Sequence, residues 1–549
     1  MNPISNLILY NCSLDRTMHK TIDFSSKSAR DQYFSNNNAI ATIISIPYSG
    51  NAYFIRENKT VKVSINADVL DANGVNYCRF NNPQSGASNY FYCFVDDIEY
   101  VAPEVSLLHL RTDVMLTNVR SFTANECFVE RQHIAKVDDV YYNQLTPESI
   151  DYGDQVIFGE TSVTPDLSAR TSVEYENNYW TVVCMSEIFH GSQSDYDRFY
   201  GGVPNACIYY GMLSDQLPYF MDAINTNGQI DSIVSIYPVP KAYVQTLATD
   251  ITLYNLPVYF VYDKEYNLIT EISIPNSANM NNGYYPRNNK LFCYPYNFLK
   301  LHNNNNSEID LKYENFTNTN GITFKSILAP CTNETLTVFP TNYENYSGNY
   351  PTNYLGNYKY SVECNTFPEI AYISDTYKNY IALNKNSLQM QKIDINANAI
   401  SSIGNSIANN SIPGIISNTA SSILDYMRFN ASIEDIKNKP KQVHGMTNGN
   451  TGFMSGSFGV YVSKMCIKRQ YAEKIDKYFD MFGYNISNVQ VPNWTNRSHY
   501  NFVKTSGINI VGNIAKNDKD EIAKIFDSGV TFWHMSNGAV YGTYDTNNI

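Results

Sequence analysis

The chain has 549 residues, enough for about three or four domains of ordinary size. Its 52 Asp and Glu outnumber 39 Lys and Arg, for a net charge of −13, which argues against tight, sequence-independent nucleic-acid binding because that rests on cations neutralising phosphates. The 46 Tyr and 27 Phe, with abundant Asn, point to exposed β-structure with many turns, although AT-rich codon usage favours the same residues.

The ten cysteines form no CxxC pair and no regular framework, and Cys78 and Cys93 are the closest in sequence; they read as free, mostly core thiols of a protein made in a reducing cytoplasm. Leu7-Ile8-Leu9-Tyr10 is too short for the apolar core of a signal peptide and is followed by Asp15, Arg16 and Lys20. No stretch has the roughly 18 continuous apolar residues of a stable membrane anchor.

Strands are expected from about Ala39 to His133: Ile40–Ile46, Asn51–Ile55, Val61–Ile65, Tyr90–Val95 and Val105–Leu110, with Cys127–Arg131 closing an antiparallel unit whose edges pair with neighbours. From Asp138 to Asn289 the pattern is mixed. Tyr179–Met185, Ala206–Tyr210 and Ile233–Pro238 read as strands, and Asp215–Asn225 reads as a helix with Asp215 as cap and Pro218 in its first turn. A second β-unit runs from Leu291 to Ile381. In it Phe298–Leu301 and Ile309–Tyr313 flank an Asn303–Asn306 turn, Ile322–Ile327 and Thr335–Phe339 follow, and the Asn/Tyr/Gly-rich Tyr343–Tyr360 reads as a loop. The C-terminal hundred residues are the most regular. Gly459–Met465 is a strand, and Tyr471–Phe482 is an amphipathic helix with Ala472, Ile475, Phe479 and Phe482 on one face and Gly483 as stop. Strands around Val489, at Tyr500–Val503 and at Ile508–Val511 lead to a helix capped by Asn517 that carries Ile522, Ile525 and Phe526 and ends before Gly529, then to Val530–His534. The order strand, helix, strand, strand, helix, strand suggests a small ferredoxin-like unit.

One stretch stands apart. Ile395–Leu424 contains no Asp, Glu, Lys or Arg, between Lys392 and Asp394 on one side and Asp425 and Arg428 on the other. Ile400, Ile403 and Ile407 make one helical stripe; Ile416, Ala420, Ile423, Leu424 and Met427 make a second; Ile412-Pro413-Gly414 breaks them. The expected form is a helical hairpin with Pro413-Gly414 at its tip, able to sit in protein or in lipid. The plainer reading is an ordinary helix pair or a flexible insertion. One copy is too short and too polar to span a bilayer, whereas several copies with their Ser and Asn faces turned together could.

Catalytic signatures are missing: there is no HExxH, no GxSxG elbow and no phosphate loop. Asp96-Asp97 with Glu99, and Asp138-Asp139, read as turn and surface carboxylates, and His190 and His534 have no ligand partner nearby in sequence. Neither an enzymatic activity nor a cofactor or metal site is expected.

The C-terminal part resembles that of tail knob, or distal tail tube, proteins of small short-tailed phages that infect Gram-positive bacteria. The resembling residues are Tyr478-Phe479, Phe482–Ile486, Asn493, Asn501–Thr505, Gly512–Ile514 and Ile525–His534. Weaker echoes are Phe54–Lys59, Asp113-Val114 with Thr117, Phe128–His133, Cys293–Tyr296 and Leu383–Ser387; residues 139–289 carry the least. The resemblance implies a mainly β, multidomain virion protein with α+β parts: a β tube domain at 1–137, an α+β outer domain at 138–290, a second β tube domain at 291–385, the uncharged hairpin or lumen loop at 386–450 and an α+β domain at 451–549. It implies a homo-hexameric ring at the tail tip, joined to other phage tail proteins, whose channel passes viral double-stranded DNA during genome ejection. It also implies a loop that plugs the lumen and then perforates the host membrane, here Ile395, Ile400, Ile403, Ile407, Ile412, Pro413, Gly414, Ile415, Ile416, Ile423 and Leu424. This segment departs from the family pattern in being short and rich in Ser and Asn. An acidic surface suits a conduit through which DNA slides without sticking. The alternative is a receptor-binding adhesin for host cell-wall carbohydrate, with Trp494 in the loop-like Pro492–Asn496 as an aromatic contact.

Overall fold

Side chains of the strand Val105–Thr112 alternate strictly between half-buried and buried, the pattern of a strand with one face on a core. In the computed structural model it belongs to a six-stranded antiparallel sheet ordered Thr42–Ile46, Asn6–Asn11, Tyr77–Asn81, Tyr90–Ala102, Val105–Thr112, Thr60–Val63. The structure describes residues 6–35, 42–46, 60–81, 90–135, 138, 146–164, 171–186, 199–200, 203–204, 207–241, 244–253, 256–263, 266–272, 279–316, 322–327, 336–341, 343, 360–364, 368–374, 382–394, 398, 412–445, 459–535 and 540–544. The expected strand Asn51–Ile55 lies outside them. Leu7–Tyr10, too short for a signal peptide, is strand interior here.

The helix Lys27–Ser35 covers one face of this sheet. Its Phe34 meets Tyr10, Tyr77 and Tyr92 at ring distances of 5.6, 5.8 and 4.8 Å, contacts worth about 0.5–1.5 kcal/mol each beyond area burial. Arg30 is fully buried: its Nη1 donates to the carbonyls of Leu116 (2.7 Å) and Thr117 (3.1 Å), and the Asp31 carboxylate stands 2.8 Å from Nη2 as an ion pair. Those carbonyls end the short helix Val114–Thr117, whose first turn is capped by Asp113.

Cys127–Gln132 does not close this sheet, contrary to the sequence expectation. It is built into a five-stranded sheet ordered Lys20–Ile22, Val530–Trp533, Tyr500–Ser506, Cys127–Gln132, Tyr484–Gln490. Strands from both ends of the chain are thereby laced together, and Lys20–Ile22 runs parallel to Val530–Trp533. The expected C-terminal ferredoxin-like unit is therefore not self-contained. Its elements occur in the expected order, but Cys127–Gln132 separates Tyr484–Gln490 from Tyr500–Ser506, and the leading strand, Tyr461–Ile467, pairs elsewhere.

That leading strand sits inside a four-stranded sheet, Gln155–Ser162, Tyr461–Ile467, Asn297–His302, Glu308–Leu311. The hairpin around Asn303–Asn306 is as expected; the Asn303 carboxamide accepts from the Asn305 and Ser307 N–H groups, and Asn304 and Asn306 take positive φ. The strands Ile322–Ile327 and Thr337–Pro340 pair with each other but lie in a separate sheet with Tyr266–Ile272 and Val362–Glu363. A further five-stranded sheet is ordered Ile233–Pro240, Tyr179–Met185, Ile208–Met212, Leu256–Asp263, Val244–Leu253. One hydrophobic core joins residues of these three sheets, including Val182, Leu299, Phe324 and Val462, and receives Ala472, Ile475 and Phe479 from the helix Arg469–Phe482.

Two helix caps differ from expectation. The helix after Asp215 is Leu217–Asn227, with Gln216 at its N-cap, because Pro218 fits only at the first helical positions and sets the start two residues later. The last helix is Lys516–Ser528 with Ala515 at the N-cap, so Asn517 lies inside it. Gly483 and Gly529 stop their helices as expected.

Candidate functional site: the root of the uncharged segment

A short antiparallel ribbon carries the uncharged segment. Tyr372–Ser374 pairs with Gln442–His444 in the register Tyr372 to His444, Ile373 to Val443, Ser374 to Gln442. Residues 375–441 are thus the connection between the two strands of this ribbon. The Ser374 hydroxyl is 2.8 Å from His444 Nε2, and the Tyr372 ring stacks on the His444 imidazole at 5.4 Å. The ribbon is tied to the edge strand Ile233–Pro240: the Ile370 N–H donates to the Ile236 carbonyl (2.8 Å), and the Tyr372 hydroxyl donates to the Ile233 carbonyl (3.3 Å). Tyr372 is buried in the core of the α+β part, beside Met185, Phe220 and Ile224.

Beyond the ribbon, residues 382–394 are helical, and their start is pressed against Gly228. Gly228 caps the helix Leu217–Asn227 at φ 72°, where a side chain is strained, and a Cβ there would lie 3.0 Å from that of Ala382. None of the side chains of residues 382–394 is buried; Leu383, Met390 and Ile393 are each more than half exposed.

The return arm is one 26-residue helix, Ile412–Lys437. Pro413 and Gly414 lie in its first turn. Proline is tolerated there because its missing N–H has no intrahelical acceptor, so this dipeptide starts a helix. The helix runs past the uncharged stretch into Asp425, Arg428, Glu434, Asp435 and Lys437, and the chain leaves it just before Pro440. Leu424 and Met427 are exposed, and Asp425 pairs with Arg428 on the surface. Of the other expected plug residues, Ile412, Pro413, Gly414, Ile415, Ile416 and Ile423 lie on this helix, while Ile395, Ile400, Ile403 and Ile407 lie outside the described residues. Among the described residues no helix is long and apolar enough to cross a membrane.

A buried polar junction locks the helix Arg469–Phe482 to the segment 284–288 and, through His133, to the strand Tyr500–Ser506. Asp476 accepts from the Tyr284 hydroxyl (2.9 Å), the backbone N–H of Arg287 (2.8 Å) and Asn288 (3.1 Å), and the Asn288 carboxamide (2.9 Å). Asp480, one turn on, takes the same carboxamide (2.9 Å) and pairs with Arg287; burial, then the nearby Asp476 carboxylate, push its carboxyl up to about 7. His133 Nε2 faces the carbonyls of Phe479 and Asp480 at 3.1 Å, and Nδ1 accepts from the Phe502 N–H at 2.7 Å. That pattern requires a neutral ring with its proton on Nε2, and burial lowers the imidazole to about 3. The Glu148 side chain is fully buried between Arg131 and Lys290, at 2.6 Å from each. Sequence reasoning placed Ala472, Ile475 and Phe479 on the buried face of this helix but passed over Asp476 and Asp480, whose spacing puts them on the same face. Tyr372 and His444 carried no comparable signal.

Other residues singled out by sequence have ordinary roles. Asp96 pairs with Arg16 and Arg111, and Glu99 meets His109, all at the surface. His534 is buried against Asn501 and Asp23. His190 and Asp139 lie outside the described residues. Trp494 is half-buried and packs on Phe526 and Phe532 at 5.5 and 5.4 Å. Among the described residues no three His, Cys, Asp or Glu converge as metal ligands, and the described cysteines are free thiols.

Comparison with known proteins is consistent along the whole chain. Residues 5–123 match the caudoviral major tail protein N-terminus, and residues 261–549 match the C-terminal domain of tail knob protein gp9 of Bacillus phage phi29. The phi29 tail knob protein is 25% identical over 591 aligned positions, covering 96% of this chain and 95% of its own. That of Bacillus phage B103 is 25% identical, covering 98% of each. The tail knob protein gp12 of bacteriophage C1 shares the fold, with a TM-score of 0.64 at 16% identity over 99% of this chain and 100% of its own. With a match over more than half its length, the chain belongs to the phi29 gp9 family of phage tail knob proteins.

Proposed function

We propose that the chain assembles as a homo-hexameric ring at the tail tip, where the β-units of 1–137 and 291–385 line a neutral-to-acidic channel for double-stranded DNA. Residues 395–424 fill that lumen before ejection and enter the host membrane transiently when released. The observation that carries this reading is a connection, residues 375–441, rooted in one ribbon, whose described side chains are all partly or fully exposed. Apolar helical positions with no cover in their own subunit, such as Leu383, Met390, Ile393, Leu424 and Met427, are covered by other copies or by lipid. Burying each isoleucine of the segment in a lumen is worth about 1.5–3 kcal/mol. Membrane entry is a property of several copies together, since no single described helix is long and apolar enough to span.

Electron microscopy of the purified chain tests the ring; a particle without a central hole overturns it. Replacing Ile403 and Ile416 by Asp is expected to leave the ring intact and to abolish dye release from liposomes. Phage lacking residues 395–424 are expected to adsorb normally and to fail in DNA delivery. Delivery at the normal rate would reduce the segment to a spacer.

A further inference from the structure

The outgoing arm of the connection carries an apolar seam. Along the helical residues 382–394, Leu383, Met390 and Ile393 follow one another at spacings of seven and three, and each is more than half exposed. Those spacings are the a, a and d positions of a heptad repeat, so the three side chains share one face, about 15 Å long from Leu383 to Ile393. Asn386 holds the other d position. The sequence keeps the repeat beyond the arm: Ala397 and Gly404 continue the a positions, and Ile400 and Ile407 continue the d positions. The two lysines avoid the seam. Lys385 and Lys392 both fall at position c, on the outer side of the helix, and both are exposed.

We propose that this seam is a contact between copies of the chain: outgoing arms of neighbouring subunits join, parallel and in register, as a coiled-coil bundle. The proposal rests on the ring reading above and names what covers this arm. Neither the described body nor the described return helix covers it, since all three seam residues stay exposed beside them. Lipid does not suit it either, because Lys385, Lys392 and Asp394 would be carried into the bilayer with it. The same helix of another copy presents the matching repeat. In a parallel, in-register pair Gln389 at position g faces Asp394 at position e of the neighbour, so a carboxamide meets a carboxylate while the lysines of the copies stay apart on the outer side. Leucine at a with isoleucine at d favours bundles of more than two helices, which a ring of several copies supplies. The polar Asn386 at a d position fixes the register at some cost in stability. A seam this short does not hold free helices together, so the bundle depends on the ring bringing the arms close.

The test uses the full chain, with its ring checked by electron microscopy. Met390→Cys and Ile393→Cys are expected to give disulfide-linked dimers after brief copper-phenanthroline oxidation, read on non-reducing denaturing gels, because an in-register seam sets each residue against its own counterpart. Lys385→Cys and Lys392→Cys are expected to crosslink at least tenfold less. The unaltered chain, whose described cysteines are buried or half-buried, sets the background. Adding Ile393→Asp to Met390→Cys is expected to lower crosslinking at least tenfold with the ring intact; all four positions are exposed, so folding is not at stake. A ring that crosslinks no better through Met390→Cys and Ile393→Cys than through Lys385→Cys and Lys392→Cys overturns the seam and leaves the ring standing. A chain that forms no ring overturns the reading beneath it as well.

Discussion

Replacing Asp480 by asparagine probes the buried junction through its pH dependence. Asp480 and His133 are both almost fully buried, and their titrations have opposite signs. Asp480 titrates near 7 in the folded chain against an ordinary 3.8, so the native state binds a proton that the unfolded chain does not take up until the pH nears 4. Stability from this group therefore rises as pH falls from 7. His133 titrates near 3 against an ordinary 6.5, so the unfolded chain binds its proton first and stability falls below pH 6.5. At about 1.4 kcal/mol per pH unit, and with Asp480 already half protonated at pH 7, Asp480 adds about 2.3 kcal/mol between pH 7 and 5 and His133 removes about 2. The two nearly cancel. The substituted carboxamide keeps the size and, through its oxygen, the contact with Asn288, but it gives up the ion pair with Arg287 and cannot take up the proton; beyond a pH-independent loss, the Asp480→Asn variant is therefore expected to lose about 2 kcal/mol relative to the unaltered chain between pH 7 and pH 5. Urea unfolding followed by intrinsic fluorescence at pH 7 and pH 5 reads the difference directly. Parallel pH profiles for the two chains would refute the assignment of opposing titrations to this junction.

At the root, Tyr372→Ala removes a buried ring and is expected to cost about 3 kcal/mol locally, seen as faster proteolysis within residues 375–441 while the body stays intact. Tyr372→Phe, which loses only the bond to the Ile233 carbonyl, should cost about 1 kcal/mol. Gly228→Val forces a branched side chain into positive φ and against Ala382, for an expected loss of about 1–3 kcal/mol in thermal unfolding. Lysine in place of several acidic residues that imaging of the ring places on its lumen should slow DNA ejection from assembled phage, because the phosphates would be held.

Local pattern made much of the fold legible. The hairpin at Asn303–Asn306 showed in its turn residues, and the helices Arg469–Phe482 and Lys516–Ser528 in apolar spacing that ends at glycine. Strand partners were not legible. Cys127–Gln132 looks like a strand whichever sheet receives it, and its neighbours come from more than 350 positions away, as in the pairing of Val129 with Asn488. Caps failed for a related reason: Asp215 and Asn517 are good capping residues, but proline placement and tertiary packing set where each helix begins. At the candidate site the absence of charge was plain to see, whereas the root was not. Strands of three residues are too short to show a period, and Tyr372 is recognisable only by the core it enters.

The return helix sets a limit on how deep the segment can go. Ile412–Lys437 is one continuous helix, uncharged through Leu424 and charged from Asp425 onward. An ionised side chain at mid-bilayer costs roughly 2.5–3.5 kcal/mol, and Asp425 and Arg428 come within one turn of each other. A helix entering a membrane from its Pro413 end would therefore stop near Leu424, with the rest held in water. From Asp425 to Lys437 is about three and a half turns, a polar arm of about 18 Å that leads back toward the ribbon at His444. The same division suits storage, since the uncharged part can pack among copies of itself while the charged arm stays solvated. On the proposed reading, contacts among the isoleucines of several copies hold the stored segment, the root contacts of Tyr372, His444 and Gly228 anchor its base, and release need not unfold the sheets.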